Sequence, residues 1–144
     1  MSIADIAEVL GGKKTFRRTV KSSEDLSSSI KAGFPVQTIT VLAGRLTMPR
    51  TDVARRLGIP QRTLTRRMLP QARLTVEESD RAARMARVIA LATDVLGTSD
   101  KASSWLRTPN RALRGQMPID TLDTDPGYRQ VEETLYAIAY GMYS

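Results

Sequence analysis

Two residue types are missing from this chain altogether: it has neither cysteine nor histidine. Without cysteine there can be no disulfide, no thiolate nucleophile and no thiolate metal ligand, a usage that suits a reducing cytoplasm. Without histidine, a zinc site would have to be built from carboxylates alone, and catalysis would fall to paired carboxylates or an activated lysine. No acid pair stands beside a recognisable cleft motif. Asp120, Asp123 and Asp125 cluster, but turns and helix capping account for them. The expectation is a non-enzyme with no metal and no cofactor. Long apolar runs are also lacking. Nothing approaches the roughly 18 residues a membrane span needs, and Met1–Leu10 carries Asp5 and Glu8 where a signal peptide would be basic.

What the chain does have is positive charge, unevenly placed. Its 144 residues carry a formal +7, enough length for one real core or two small helical modules. Residues 46–75 hold seven arginines against the single acid Asp52, whereas residues 76–144 hold eight bases against ten acids. A basic first half facing a polyanion and a mildly acidic C-terminal half facing some other partner is the natural division.

The basic region has a shape as well as a charge. In Thr51–Met68, TDVARRLGIPQRTLTRRM, Val53, Ala54 and Leu57 share one face of a short helix. Gly58 follows where positive φ is needed, Ile59 can fill the corner, and Pro60 suits the start of a second helix. There Leu64 and Met68 face inward, leaving Gln61, Arg62, Thr65 and Arg66 outward. This is a helix-turn-helix pattern, whose second helix enters the DNA major groove. Its geometry directs Gln61, Arg62 and Arg66 toward base edges, with Arg suited to guanine and Gln to adenine. Arg50, Thr63 and Arg67 are better placed for phosphates, with packing at the helix start as the alternative for Thr63. Pro60 stands where such motifs often have a capping Ser or Thr, which removes one phosphate contact. Paired half-sites imply a homodimer.

The rest of the chain reads as helices too, and the fold class expected is all-α. Ser2 and Asp5 have capping-box spacing ahead of a first helix that Gly11 and Gly12 end. Lys13–Lys21 is a basic stretch, loop or short strand, with an arm on phosphate as a third option. Ser22–Ser29 reads as a loop leading to a short helix ended by Gly33. Residues 1–34 thus form a segment to which no role attaches. Pro35 opens a helix through Leu46, and residues 35–74 make the DNA-binding region. Thr75 and Glu78 form a capping box before a long helix to about Leu96, in which Arg81, Arg84 and Arg87 read as a solvated face. Ser99 caps a short helix through Leu106. Thr124 or Asp125 caps a last one in which Tyr128, Val131, Leu135, Ile138 and Met142 make a narrow apolar seam.

From Trp105 onward the text is more specific than periodicity explains. Trp105-Leu106-Arg107-Thr108-Pro109-Asn110-Arg111-Ala112-Leu113, then Gly115, Pro118, Asp120-Thr121-Leu122, Gly127 and the ending Ala139-Tyr140-Gly141-Met142-Tyr143 resemble the toxin-binding domain of Xre/MbcA/ParS-type antitoxins. The helix-turn-helix and the long helix after it also look like that family, so the resemblance spans roughly residues 35–144. It implies an antitoxin encoded beside a RES-domain toxin, a class of enzymes that consume NAD⁺. Residues 75–144 would silence the toxin, and the helix-turn-helix would bind operator DNA and repress the operon.

Within the motif, Trp105, Leu106 and Leu113 read as core before contact surface, Pro109-Asn110 as a turn, and Gly115 and Gly127 as backbone devices. The candidates for toxin contact are Asn110 and Arg111, together with Tyr140, Gly141, Met142, Tyr143 and Ser144 at the tip. Large side chains crowd there where termini are normally polar. The competing reading is a stand-alone helix-turn-helix regulator whose C-terminal domain dimerises or binds another ligand.

Overall fold

The structure, a computed structural model, describes residues 1–141. Among them the secondary structure is helical, apart from two isolated β-bridges, Pro35 with Arg73 and Asn110 with Gln116.

α1 (Ile3–Val9) starts from the Ser2/Asp5 capping box, in which the Ser2 hydroxyl accepts the Asp5 N–H and the Asp5 carboxylate accepts that of Ser2. The N-terminal segment then departs from its expected course. Lys13–Lys21 opens inside a short helix, α2 (Gly12–Phe16), and is neither strand nor simple loop. Ser22–Ser29 is not a loop: α3 (Ser23–Ala32) already begins at Ser23. The reason is a second capping box, Ser22 with Asp25, whose reciprocal bonds of 3.0 and 3.2 Å outweigh the weak helix propensity of serine. These helices are not appendages. Ile6, Val9, Leu10 and Phe34 are buried in the common core, and Val20 is buried as well.

α4 (Gln37–Leu46) starts two residues later than Pro35 suggests. Pro35 sits instead in a short antiparallel pairing: Leu74 N–H donates to Phe34 O at 2.8 Å, and Val36 N–H donates to Ala72 O at 3.0 Å. The β-branched residues of α4 are held by packing, with Thr38, Ile39, Leu42 and Leu46 all buried. α5 (Arg50–Arg56) and α6 (Gln61–Arg67) follow.

The centre of the molecule is α7 (Val76–Leu96), against which α1, α3 and α4 pack from one half of the chain and α8 (Ser99–Leu106) and α9 (Asp125–Ala139) from the other. Its alanines 82, 83, 86, 90 and 92 are buried, and their small side chains let neighbours approach on several sides. The expected Thr75/Glu78 capping box begins it, and Gly97 at φ 97° ends it. Thr98, rather than Ser99, caps α8, and Thr124 caps α9. Two 3-10 turns, Arg111–Leu113 and Pro118–Thr121, join those helices. One contiguous apolar cluster runs from Ile6 to Leu135 through both halves.

Candidate functional site

The turn between α5 and α6 is built by local chemistry. Val53, Ala54, Leu57, Ile59 and Leu64 are buried, so both helices and the corner between them have one inner face. Gly58 adopts φ 86°, which costs an L-residue roughly 1–2 kcal/mol. From α7, the Arg81 guanidinium donates to Leu57 O at 3.0 Å, closing an orphan carbonyl at the end of α5. It lies so near that a Cβ on Gly58 would come 2.7 Å from its Nη1. Arg81 and Arg87 are exposed, as expected of a solvated face, and Arg84 is half-buried, but all three also have partners elsewhere in the chain. Arg84 donates to Leu122 O at 3.3 Å and lies over the Tyr128 ring at 5.6 Å, and Arg87 pairs with Glu132 at 3.1 Å. Burial, then the Glu132 carboxylate, pushes the Tyr128 hydroxyl up to about 12.

On the outer side of α6, Gln61, Arg62, Thr65 and Arg66 are exposed, and Arg50 at the start of α5 is exposed as well. Thr65 donates its hydroxyl to Gln61 O at 3.1 Å. Among the described residues no acid pairs with Arg50, Arg62 or Arg66. An open cleft of about 370 Å³ between the two helices is lined by Pro49, Arg50, Thr51, Leu64, Thr65 and Met68. Thr63 is half-buried at the helix start.

Arg67, unlike Arg50, Arg62 and Arg66, has an acidic partner within the fold. Its guanidinium grips the Glu78 carboxylate at 2.7 and 3.0 Å and also donates to Arg73 O at 2.9 Å. The Glu78 hydrogen bond holds the guanidinium pKa above its ordinary value. Burial raises that of Glu78, but Arg67 and the Thr75 amide outweigh it and hold the carboxyl below its usual range. The first turn of α7 thereby fixes the last turn of α6.

In the C-terminal half, Leu106 and Leu113 are core and Trp105 is half-buried against it. Asn110 is engaged in building a turn: its Oδ1 accepts Ala112 N–H at 2.9 Å, and its carbonyl accepts from Leu113 and Gly115 at 3.0 and 2.9 Å. Arg111 is exposed on that turn, which packs against α9. Gly127 is required by space, since a Cβ there would lie 2.1 Å from Thr121 O. Along the α9 seam Val131 and Leu135 are fully buried and Tyr128 and Ile138 half-buried. Beyond them Tyr136 is 40% and Tyr140 73% exposed, and Gly141 turns the backbone at φ 69°. Met142, Tyr143 and Ser144 lie outside the described residues.

An ion pair links the two halves of the chain. Arg56 on α5 pairs with Asp120 at 2.9 Å and donates to Asp52 O at 3.0 Å, with its side chain only 14% exposed. The separation of 64 residues hides it from any local pattern.

Residues 25–87 match the family model of the antitoxin Xre-like helix-turn-helix domain, and residues 91–141 that of the antitoxin Xre/MbcA/ParS C-terminal toxin-binding domain. An antitoxin Xre of Yersinia enterocolitica is 37% identical over 120 residues, spanning 83% of this chain and 81% of the relative. The chain belongs to the Xre/MbcA/ParS antitoxin family. An antitoxin Xre of Pseudomonas putida is 38% identical across 83% of this antitoxin and 74% of its own length. The fold is similar to a chain in the crystal structure of the M. tuberculosis MbcT–MbcA toxin–antitoxin complex, with 25% identity and a TM-score of 0.54 over 76% of this chain and 96% of that one. The antitoxin thus carries a toxin-binding domain next to a helix-turn-helix. The junction of the two matched segments falls inside α7, the helix on which both halves pack. No helix among the described residues is long and apolar enough to cross a membrane, and none of their acid clusters could hold a metal ion.

Proposed function

We propose that this antitoxin binds and silences a RES-domain toxin that degrades NAD⁺, and that as a homodimer it represses its own operon through α6. It acts in the cytoplasm and performs no chemistry of its own. The observation that carries the DNA half is the face of α6, where Gln61, Arg62 and Arg66 stand exposed beside Arg50 with no acidic partner among the described residues. Unspent guanidinium groups on the outer face of a second helix are what bidentate reading of guanine requires. The toxin half rests on the resemblance of Trp105–Tyr143 to the family motif and on the fold shared with the MbcT–MbcA complex. It is favoured further by the exposed aromatics Tyr136 and Tyr140 at the end of α9, side chains suited to anchoring in a partner's cleft. Asn110, Arg111, Gly141 and the three residues after it complete the proposed contact. In this reading the terminal segment blocks the toxin's active site or its entrance.

Co-expression with the adjacent reading frame tests this. The neighbour alone should arrest growth, and this chain should restore growth and co-purify with it. A harmless or non-binding neighbour would leave a helix-turn-helix regulator with some other ligand.

A further inference from the structure

The basic stretch Lys13–Lys21 lies outside both segments matched by family models. It carries Lys13, Lys14, Arg17, Arg18 and Lys21 with no acid between them, and all five are exposed. Arg18 donates to Asp25 O at 3.2 Å, and Asp25 faces Lys21 through the backbone amide. Glu8 closes on Gly12 at the start of α2. The side chains of Lys13, Lys14 and Arg17 have no hydrogen-bond or ion-pair partner among the described residues.

This stretch is a fixed platform and not a loose arm. Phe16 packs edge-on against Phe34 with ring centroids 5.3 Å apart, and Val20 is buried. Arg17 takes a left-handed turn at φ 58°, its N–H returning to Lys13 O at 2.7 Å. The platform is tied by short steps to the recognition helix. Phe34 O accepts Leu74 N–H at 2.8 Å, Arg73 donates to Gly33 O at 2.9 Å, and Arg67 at the end of α6 donates to Arg73 O at 2.9 Å. The backbone at Gly33 and Phe34, on which Phe16 packs, is thereby linked through Arg73 to the C-terminal end of α6.

We propose that Lys13, Lys14 and Arg17 form a second phosphate-binding surface that lengthens the antitoxin's footprint on duplex DNA beyond the α6 contact. This rests on the DNA reading of α6 above. Exposed cations on a backbone held in place suit the closely spaced phosphates of a duplex. Single-stranded RNA would call for exposed aromatics on which to stack, and the one aromatic here is turned onto Phe34. Such contacts add affinity and salt dependence but no base discrimination.

The test compares the full chain with K13Q/K14Q/R17Q and with K101Q/R107Q/R114Q, which removes the same charge from the C-terminal half. Binding is measured against salt, on a duplex from immediately upstream of its own reading frame and on a scrambled duplex. Each lost phosphate contact lowers the slope of log affinity against log salt by about 0.9. At 0.15 M salt that is about five-fold in affinity for one contact and about 150-fold for three. The expected result is a slope lower by one to three for the first variant on both duplexes, no change for the second, and retention of the slope by K13R/K14R/R17K. An unchanged slope in K13Q/K14Q/R17Q with wild-type binding intact overturns this proposal alone. Failure of the wild type to bind either duplex overturns the DNA reading and this surface with it.

Discussion

The tie between Arg67 and Glu78 joins the last turn of α6 to the first turn of α7, and Glu78→Gln probes it. Glutamine is itself a capping-box residue, so it can keep the bond to the Thr75 amide that Glu78 makes at 2.9 Å. What it removes is the negative charge facing Arg67. The wild-type pair has two charge-assisted bonds at 2.7 and 3.0 Å, and hydrogen bonds to charged groups contribute about 1.5–3 kcal/mol net. Because the Arg67 side chain keeps 24% of its exposure and a bond to Arg73 O, the lower end applies, about 1.5–2 kcal/mol. For a chain of this size that lowers Tm by about 4–7 °C. The pH dependence gives a second handle. The folded Glu78 pKa lies below its unfolded value, so the stability it contributes is present above about pH 4.3 and is lost as pH falls through the lowered value. Thermal unfolding followed by circular dichroism should show a gap between wild type and E78Q at neutral pH that closes as the pH drops through that window. A gap under about 0.5 kcal/mol at pH 7, the size of an ordinary surface substitution, would refute the tie, as would a gap that persists unchanged at acid pH.

Three further outcomes follow from the same geometry. Arg62→Ala and Arg66→Ala should each cost about 1–3 kcal/mol of discrimination between operator and scrambled duplex in a gel-shift titration, with Tm unchanged because neither side chain is partnered internally. Gly127→Ala forces a methyl to within 2.1 Å of Thr121 O and should destabilise the fold by about 1–3 kcal/mol in chemical denaturation, a wild-type midpoint being the contrary result. Tyr140→Ser removes a side chain that is 73% exposed, so it should leave stability intact and weaken toxin binding at least ten-fold by calorimetry, about 1.4 kcal/mol.

Features written into neighbouring residues were legible in the sequence. The α5–Gly58–α6 corner, the Thr75/Glu78 box and the Gly97 stop are all set within a few residues, and each stands where pattern places it. Leu106 and Leu113 were recognisable as core because a motif's leucines usually are. Side chains whose partners are distant in sequence were not. Arg67 has the outward address of a phosphate contact, yet Glu78 captures it from 11 residues away. Arg81, Arg84 and Arg87 read as an exposed stripe, and Arg81 and Arg87 are exposed, but their bonds to the Leu57 carbonyl and Glu132, and that of Arg84 to Leu122, span 24 to 45 residues and leave no local pattern. The start of α3 is written locally as well: Ser22 and Asp25 have the same spacing as Ser2 and Asp5, within a serine-rich stretch whose composition favours a loop. Phe34 carries no periodic signal of joining the core, because its partners Phe16, Leu74 and Ser79 lie 18 to 45 residues away.

The central claim is that one chain uses two unlike surfaces, α6 for DNA and the end of α9 for a toxin that consumes NAD⁺. The most direct measurement is cellular NAD⁺ after induction of the adjacent reading frame together with wild type, R62A/R66A or Y140S, all at matched expression. NAD⁺ should fall with the neighbour alone, stay high with wild type and with R62A/R66A, and fall again with Y140S. Undiminished NAD⁺ with the neighbour alone would contradict the toxin assignment, and equal protection by wild type and Y140S would contradict the placement of the inhibitory surface.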